Sequence, residues 1–149
     1  MAAGAAATAA MGVDELERFL RAQFPQAFHD DSGLCIESVA HGWCRLRQAY
    51  REAFIRPGGT ISGPTIMALA DVAMYVAVLA SLGPVPLAVT TSFNINFLRK
   101  PPRRDLIAEC RLIKLGSCLA VGEIGIRSDG EQGLLAHATS TYSIPRQVI

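Results

Sequence analysis

The segment that most restricts the fold of this chain is a predominantly apolar run from Pro64 to Leu82. Asp71 is its only charged residue, and the 42 residues from Pro57 to Leu98 contain no other charge, although 18% of the 149-residue chain is charged. Pro64 suits the first turn of a helix and Gly83 suits its end, so the run predicts one helix. A helix that is apolar on every side has to be buried on every side.

A lipid bilayer or a strongly curved sheet could bury such a helix. The run is nearly long enough to span a membrane, but Asp71 would be costly at membrane depth. The Gly/Pro-rich flanks and the strand-like sequence that follows favour a helix inside a soluble domain. Residues 1–10, MAAGAAATAA, have no basic residue of the kind that opens a secretory signal. We therefore expect a disordered tail over residues 1–10, one domain over 11–149, a cytoplasmic location and no membrane partner.

The rest of the sequence predicts one amphipathic helix and six strands. Val13 to Phe24 has apolar residues at helical spacing and stops before Pro25. The alternating runs, separated by turn signals, are Leu34–Ala40, Trp43–Ala49, Leu87–Leu98, Leu106–Leu115, Leu119–Arg127 and Leu134–Ile144. This order predicts an α+β fold in which an antiparallel sheet wraps around the central helix.

Charge and cysteine usage exclude several functional classes. A net charge of +1 argues against a general nucleic-acid binder. The four cysteines have no CxxC spacing and no neighbouring His, so we expect neither a metal site nor a redox pair, and a reducing compartment. His29, His41 and His137 are isolated and form no readable triad.

Asp71 is the first candidate for chemistry. It lies at the eighth position of the helix counted from Pro64, too deep for the helix dipole to explain. A structural ion pair with Arg56 or Arg99 is one explanation. The other is a carboxylate that acts as general base or nucleophile. At the helix start, the Gly63 N–H is the candidate donor to a developing negative charge, so the two residues suggest acyl chemistry.

The spacing between Gly63 and Asp71 predicts how the chain assembles. At 1.5 Å per residue they are about 12 Å apart along one helix, so they cannot easily act on one carbonyl group. Two such helices packed antiparallel about a two-fold axis would bring Gly63 of one chain near Asp71 of the other. This predicts a homodimer with two equal sites.

Three segments carry a family resemblance: GPTIMALADVA at Gly63–Ala73, TTSFNINFLR at Thr90–Arg99, and KLGS at Lys114–Ser117. With them the chain resembles, over roughly residues 30–145, the hotdog-fold acyl-CoA thioesterases of the phenylacetate-degradation (PaaI-like) type. The resemblance implies a hotdog fold, with about six strands around a long central helix and an N-terminal helix. It also implies an acyl-CoA substrate, no cofactor, and a homodimer that is often a dimer of dimers.

The resemblance also assigns residues. It implies that Asp71 is the catalytic carboxylate, Gly63 the oxyanion-hole glycine, and Thr90 close to a hydroxyl that orients water in some members. Ser62-Gly-Pro stands where the family commonly has His-Gly-Gly, and Arg56 stands where an Asn is common. We expect the Ser62 hydroxyl to hydrogen-bond to the thioester oxygen. We expect Arg56 to pair with the partner's Asp71 or to contact substrate.

Coenzyme A carries phosphates, so a basic rim is expected near the site. Four cations follow the uncharged stretch: Arg99, Lys100, Arg103 and Arg104. A solvated connection between strands is the other explanation for them. Gly116 and Ser117 are a weaker phosphate candidate, because many family members have a basic residue where Ser117 stands.

The leading functional hypothesis is hydrolysis of an acyl-CoA thioester to a free acid and coenzyme A. A non-catalytic acyl-CoA-binding or regulatory protein is the alternative, because Ser62 replaces the family's His. A hotdog hydratase or dehydratase is weaker, because that chemistry uses a His and no His lies near this loop.

Overall fold

The computed structural model describes residues 7–146. Along that part of the chain the elements are α1 (Val13–Gln23), β1 (Leu34–Ala40), β2 (Trp43–Gln48), a 3-10 turn (Glu52–Phe54), α2 (Gly63–Leu82), β3 (Val89–Phe97), β4 (Leu106–Leu115), β5 (Leu119–Ser128) and β6 (Leu134–Ser143). Every predicted helix and strand is present, and each observed bound lies within two residues of the predicted one.

The ends of the chain are described only in part. Residues 1–6 of the predicted tail and residues 147–149 of the predicted domain lie outside the described residues. The Ala7 carbonyl accepts a hydrogen bond from the His41 N–H at 3.3 Å, and the Ala10 N–H donates to the Ala80 carbonyl at 2.7 Å. The segment from Ala7 to the buried Met11 therefore lies against the β1–β2 turn and the end of α2.

The six strands form one antiparallel sheet in the order β1-β2-β4-β5-β6-β3. Helix α2 packs against all six strands, and α1 packs against β1 and α2. A single helix reaches six strands only if the sheet curls around it. The predicted α+β hotdog architecture is confirmed.

Helix α2 is covered on all sides except one stripe. Pro64, Met67 and Ala68 are exposed along this stripe, and Asp71 is half-buried beside them. By length and composition α2 could cross a membrane. In this fold, however, 67% of its most apolar 18-residue segment is buried. The sheet therefore covers most of the apolar surface that the sequence required to be covered.

Strand β3 lies at the edge of the sheet, with β6 as its neighbour in the described chain. Its alternating sequence predicted one buried face, and Phe93 and Ile95 do pack against the core. Val89 and Phe97, at its ends, are 57% and 50% exposed. An edge strand with exposed apolar residues is open to pairing with another strand.

Glycine at position 122 allows a close contact between β5 and α2. A Cβ on Gly122 would lie 2.6 Å from Met74 Sδ and 3.3 Å from the Arg111 carbonyl oxygen. Because Met74 is fully buried, we expect Gly122→Ala to lower the free energy of unfolding by about 1–3 kcal/mol, measured by chemical denaturation. Gly125→Ala is the matched control on the same strand, since its Cβ would meet only the tip of Leu134. An equal loss in both variants would contradict the packing argument.

Candidate active site

Asp71 faces a pocket of about 350 Å³ formed by α2, the end of α1 and the loop before β3. Thr90 Oγ1 donates a hydrogen bond to Asp71 Oδ1 at 2.7 Å. The Tyr142 hydroxyl lies 3.4 Å from the same Oδ1 and 3.3 Å from the Asp71 carbonyl oxygen. Asp71 Oδ2 has no donor among residues 7–146. We refer to this group as the carboxylate half-site.

A β-bulge turns Thr90 toward α2. The register of β3 against β6 shifts between Thr90 and Ser92. In an unbroken strand Thr90 and Phe93 would point to opposite faces, but here Thr90 contacts Asp71 while Phe93 packs on the core. Bulges next to functional sites commonly re-aim a side chain in this way.

Two stacked tyrosines lie next to Asp71. The rings of Tyr142 and Tyr75 are 6.1 Å apart and inclined by 27°. Burial raises the pKa of both hydroxyls above the ordinary tyrosine value, so both stay protonated at neutral pH. The Tyr142 hydroxyl is directed at Asp71, whereas the Tyr75 hydroxyl donates to the Pro86 carbonyl at 3.0 Å.

Within residues 7–146 of one chain, Asp71 has no ion pair that would explain its retention. Its side-chain partners in the described residues are the hydroxyls of Thr90 and Tyr142, with no cation among them. Arg56 and Arg99, the two predicted partners, line a different pocket.

The start of α2 forms the second part of the candidate site. Ser62 caps the helix: its hydroxyl oxygen accepts a hydrogen bond from the Thr65 N–H at 3.4 Å and lies 2.8 Å from Thr65 Oγ1. The Gly63 N–H has no acceptor within the described residues. A Cβ on Gly63 would lie 3.4 Å from Phe97 Cζ, so the phenyl ring covers the glycine closely. We refer to this group as the glycine half-site.

The four cations of the predicted basic rim divide into two groups. Arg99 and Lys100 line a pocket of about 450 Å³ beside Gly63, together with Arg56. No carboxylate in residues 7–146 forms a salt bridge with these three. Arg103 and Arg104 are instead paired, with Glu52 at 3.5 Å and with Glu131 at 3.0 Å.

Gly116 and Ser117 lie in the turn between β4 and β5, where the Gly116 N–H donates to the Leu119 carbonyl at 2.8 Å. The cross-strand register puts this turn at the end of the sheet where β3 begins, which is the Asp71 end. The basic pocket lies where β3 ends. One chain therefore does not bring the turn and the unpaired cations together.

The two half-sites are separate within one chain. Gly63 and Asp71 open into different pockets and are about 12 Å apart along α2. Their contacts on β3, Phe97 and Thr90, are about 23 Å apart at 3.3 Å per residue. A single chain thus presents a carboxylate at one end of β3 and a free helix N-terminus at the other.

The sequence gives little reason to select Tyr142 as a site residue. It continues the core-facing positions of β6, where the preceding ones are Ala136, Ala138 and Ser140. A tyrosine at a core-facing position needs a hydrogen-bond partner for its hydroxyl, and this need is the one indication in the sequence that Tyr142 contacts another polar group. Which partner it meets depends on the pairing of β6 with β3 and on the packing of α2.

Other reactive groups lie outside both half-sites. Within residues 7–146, no three His, Cys, Asp or Glu side chains form a potential metal-binding group. All four cysteines are free thiols: Cys44 and Cys110 are buried, and Cys35 and Cys118 are exposed. The three histidines line neither of the two half-site pockets.

The curled sheet and the carboxylate on its central helix define a hotdog protein with a candidate acid–base site. The chain belongs to the thioesterase superfamily, whose sequence model matches residues 58–134. This range contains both Gly63 and Asp71. The resemblance that the sequence motifs suggested is confirmed at the level of the family.

Similar proteins carry esterase and thioesterase descriptions. A protein of Halobacterium salinarum, provisionally described as an esterase, is 34% identical over 113 residues, covering 68% of this chain and 74% of that protein. A crystal structure from Silicibacter sp. TM1040, provisionally described as a thioesterase, is 44% identical with a TM-score of 0.84, covering 93% of this chain and 94% of that one. A mutant structure of the phenylacetic acid degradation protein PaaI from Thermus thermophilus is 25% identical with a TM-score of 0.69, covering 80% and 97%.

Proposed function

We propose that this protein is an acyl-CoA thioesterase, which hydrolyses a thioester to a free carboxylic acid and coenzyme A. The observation that carries the proposal is the Asp71 carboxylate, the single charge of α2, held by Thr90 beside a pocket. Membership of the thioesterase superfamily supports a thioester substrate. The unpaired cations beside Gly63 support a substrate that carries phosphates. The reaction uses no cofactor.

In the proposed reaction Asp71 activates a water molecule. Oδ2 takes a proton from the water while the water oxygen bonds to the thioester carbon, and the Gly63 N–H donates to the resulting oxyanion. The carbon–sulfur bond then breaks, and the coenzyme A thiolate leaves with the proton held by Asp71. Direct attack by the carboxylate, followed by hydrolysis of the anhydride, gives the same products.

The proposed assembly is a homodimer in which each site combines the two half-sites from different chains. The exposed edge of β3 favours pairing with a second copy. Antiparallel pairing of β3 with itself about the strand centre would set Thr90 opposite the partner's Asn96, next to the partner's Phe97. Thr90 contacts Asp71 and Phe97 contacts Gly63. This pairing would therefore form two equal sites, each with the carboxylate half-site of one chain and the glycine half-site of the other. A dimer of dimers remains our expectation for the full assembly.

The proposed coenzyme A site uses cations from one chain and a turn from the other. Arg56, Arg99 and Lys100 have free charges beside Gly63, so they are better supported than the ion-paired Arg103 and Arg104. In the proposed dimer, the β4–β5 turn that contains Gly116 and Ser117 would approach the partner's basic pocket. That turn therefore remains a candidate for a phosphate contact.

Removing two of the free cations should weaken binding of coenzyme A specifically. We expect Arg99→Ala combined with Lys100→Ala to raise KM for an acyl-CoA by about tenfold, through loss of charge-assisted bonds to phosphate. KM for the matching N-acetylcysteamine thioester, which has no phosphates, should stay unchanged in initial-rate assays. Arg111→Ala, which removes a cation paired with Glu123 elsewhere on the sheet, is the control. Equal KM changes for both thioesters would contradict this site.

A panel of acyl-CoA substrates tests the function itself. It should include short, medium-length and aryl acyl groups, with a thiol-trapping reagent, and compare wild type with Asp71→Asn. Release of free thiol by the wild type alone supports the proposal.

A non-catalytic acyl-CoA-binding protein is the second candidate, because the Ser62 hydroxyl is already hydrogen-bonded to Thr65. Tight binding without thiol release across the panel would establish that candidate instead.

We also propose a cytoplasmic protein without a nucleic-acid or membrane partner. Free thiols suit a reducing compartment, and a net charge of +1 offers no basic excess for nucleic acid. The apolar surface of α2 is largely packed within its own sheet.

A further inference from the structure

We propose that Tyr142 is a positioning residue that acts through Asp71. The inference rests on the proposed function, because it assigns Tyr142 the task of holding the base that activates water. Thr90 supplies one hydrogen bond to Asp71 Oδ1. Tyr142 supplies a second polar contact, which neither the family motifs nor the sequence pattern identified.

The two hydroxyls reach the carboxylate from neighbouring strands. Thr90 on β3 and Tyr142 on β6 are directly opposite each other in the sheet. The Thr90 hydroxyl lies 2.7 Å from Asp71 Oδ1, and the Tyr142 hydroxyl lies 3.4 Å from that oxygen and 3.3 Å from the Asp71 carbonyl. One donor leaves a carboxylate free to swing about its hydrogen bond. A second hydroxyl in contact with the same oxygen, from the neighbouring strand, restricts that rotation and leaves Oδ2 to accept the proton.

Tyr142 is itself held in place. It is 4% exposed, and its ring stacks on Tyr75. Burial raises the pKa of the Tyr142 hydroxyl, so the group remains a neutral donor and does not compete with Asp71 as a base. A buried phenol needs a hydrogen-bond partner, and Asp71 supplies it.

Tyr142→Phe tests this role, because it keeps the ring and removes only the hydroxyl. We expect kcat for acyl-CoA hydrolysis to fall about tenfold while KM changes less than twofold, since the lost hydroxyl contacts the Asp71 carboxylate and the residue is only 4% exposed. Tyr50→Phe is the matched control: it removes a hydroxyl that donates to Glu52 Oε1 at 2.7 Å, and Tyr50 lines neither half-site pocket. We expect Tyr50→Phe to keep kcat within twofold of wild type. Steady-state kinetics and unfolding midpoints are measured for both variants.

A double-mutant cycle with Thr90→Val adds a readout that a merely structural role would not produce. If Thr90 and Tyr142 hold the same carboxylate, the combined loss of kcat should differ from the product of the two single losses. Thr90→Val combined with Tyr50→Phe should instead give independent effects, because Tyr50 lies outside the Asp71 pocket.

An unchanged kcat in Tyr142→Phe, or a loss no larger than that in Tyr50→Phe, would overturn the positioning role. A rise in KM without a fall in kcat would overturn it too. Failure of the proposed function has a different signature, which is no thiol release by the wild type, whereas full turnover in Asp71→Asn rejects the assignment of the base. An inactive Asp71→Asn together with a fully active Tyr142→Phe therefore rejects only the role of Tyr142.

Discussion

Asp71→Asn should lower kcat for acyl-CoA hydrolysis by about 10³-fold, because the amide keeps the side-chain shape but cannot take a proton from water. The fold should be retained. Asp71 has no salt bridge within residues 7–146, and the Asn carbonyl can still accept the hydrogen bond from Thr90. Thiol release measures turnover, and the thermal unfolding midpoint checks the fold.

Asp31→Asn is the charge-matched control for this experiment. Asp31 is exposed in the segment before β1, so its neutralisation should leave both kcat and the unfolding midpoint unchanged. Wild-type turnover in a folded Asp71→Asn protein would reject the assignment of the base.

Gly63→Pro should lower kcat by about 10²- to 10³-fold, because it removes the N–H proposed to stabilise the oxyanion. Proline is well accommodated at the first helical position. Ser62 already has a ψ of 150°, the extended conformation favoured before proline. Initial rates with a single acyl-CoA measure the loss, and the unfolding midpoint checks that the helix still forms.

Gly63→Ala distinguishes the effect of an added Cβ from the effect of losing the N–H. Alanine keeps the donor and adds a Cβ at 3.4 Å from the Phe97 ring, so we expect a loss of at most a few-fold. If alanine and proline reduce kcat equally, contact with Phe97 rather than the lost donor explains the effect, and the oxyanion role is wrong.

Coexpression of the Asp71→Asn and Gly63→Pro chains tests whether one site uses two chains. In a mixed dimer, one site would combine the intact Gly63 of the first chain with the intact Asp71 of the second. Random pairing makes half of the dimers mixed, so about a quarter of wild-type activity should return. If each site were formed within one chain, no mixed dimer would regain activity.

Some features of the fold could be predicted because local pattern and burial agree. The run from Pro64 to Leu82 predicts a helix that has to be buried, and the alternating segments supply the sheet that covers most of it and leaves exposed the stripe at Pro64, Met67 and Ala68. Because the rest of this run carries no charge, the sequence also identified Asp71, since a lone charge in an apolar helix requires an explanation. Gly63 followed from its place before a proline, which leaves its N–H as the donor at the helix start.

Other features of the candidate site could not be predicted, because they depend on cross-strand pairing. Strand alternation would turn Thr90 and Phe93 to opposite faces, and only the bulge on β3 turns Thr90 toward Asp71. Tyr142 is more than 70 residues from Asp71 in sequence, and the register of β6 with β3 brings them together. Ser62 belonged to the expected ligand contacts, but its hydroxyl also caps α2.

By itself the sequence determined the buried helix, the number of strands and their succession along the chain, and the two residues most suited to acyl chemistry. These follow from hydrophobic periodicity and from the cost of burying a charge, which are local properties of the chain. Only the tertiary structure decided how the hydroxyls surround the carboxylate and which cations remain unpaired. It also decided that the carboxylate and the free helix N-terminus lie at opposite ends of an exposed edge strand. These features depend on register, bulges and packing between distant segments, whose free energies no local pattern encodes.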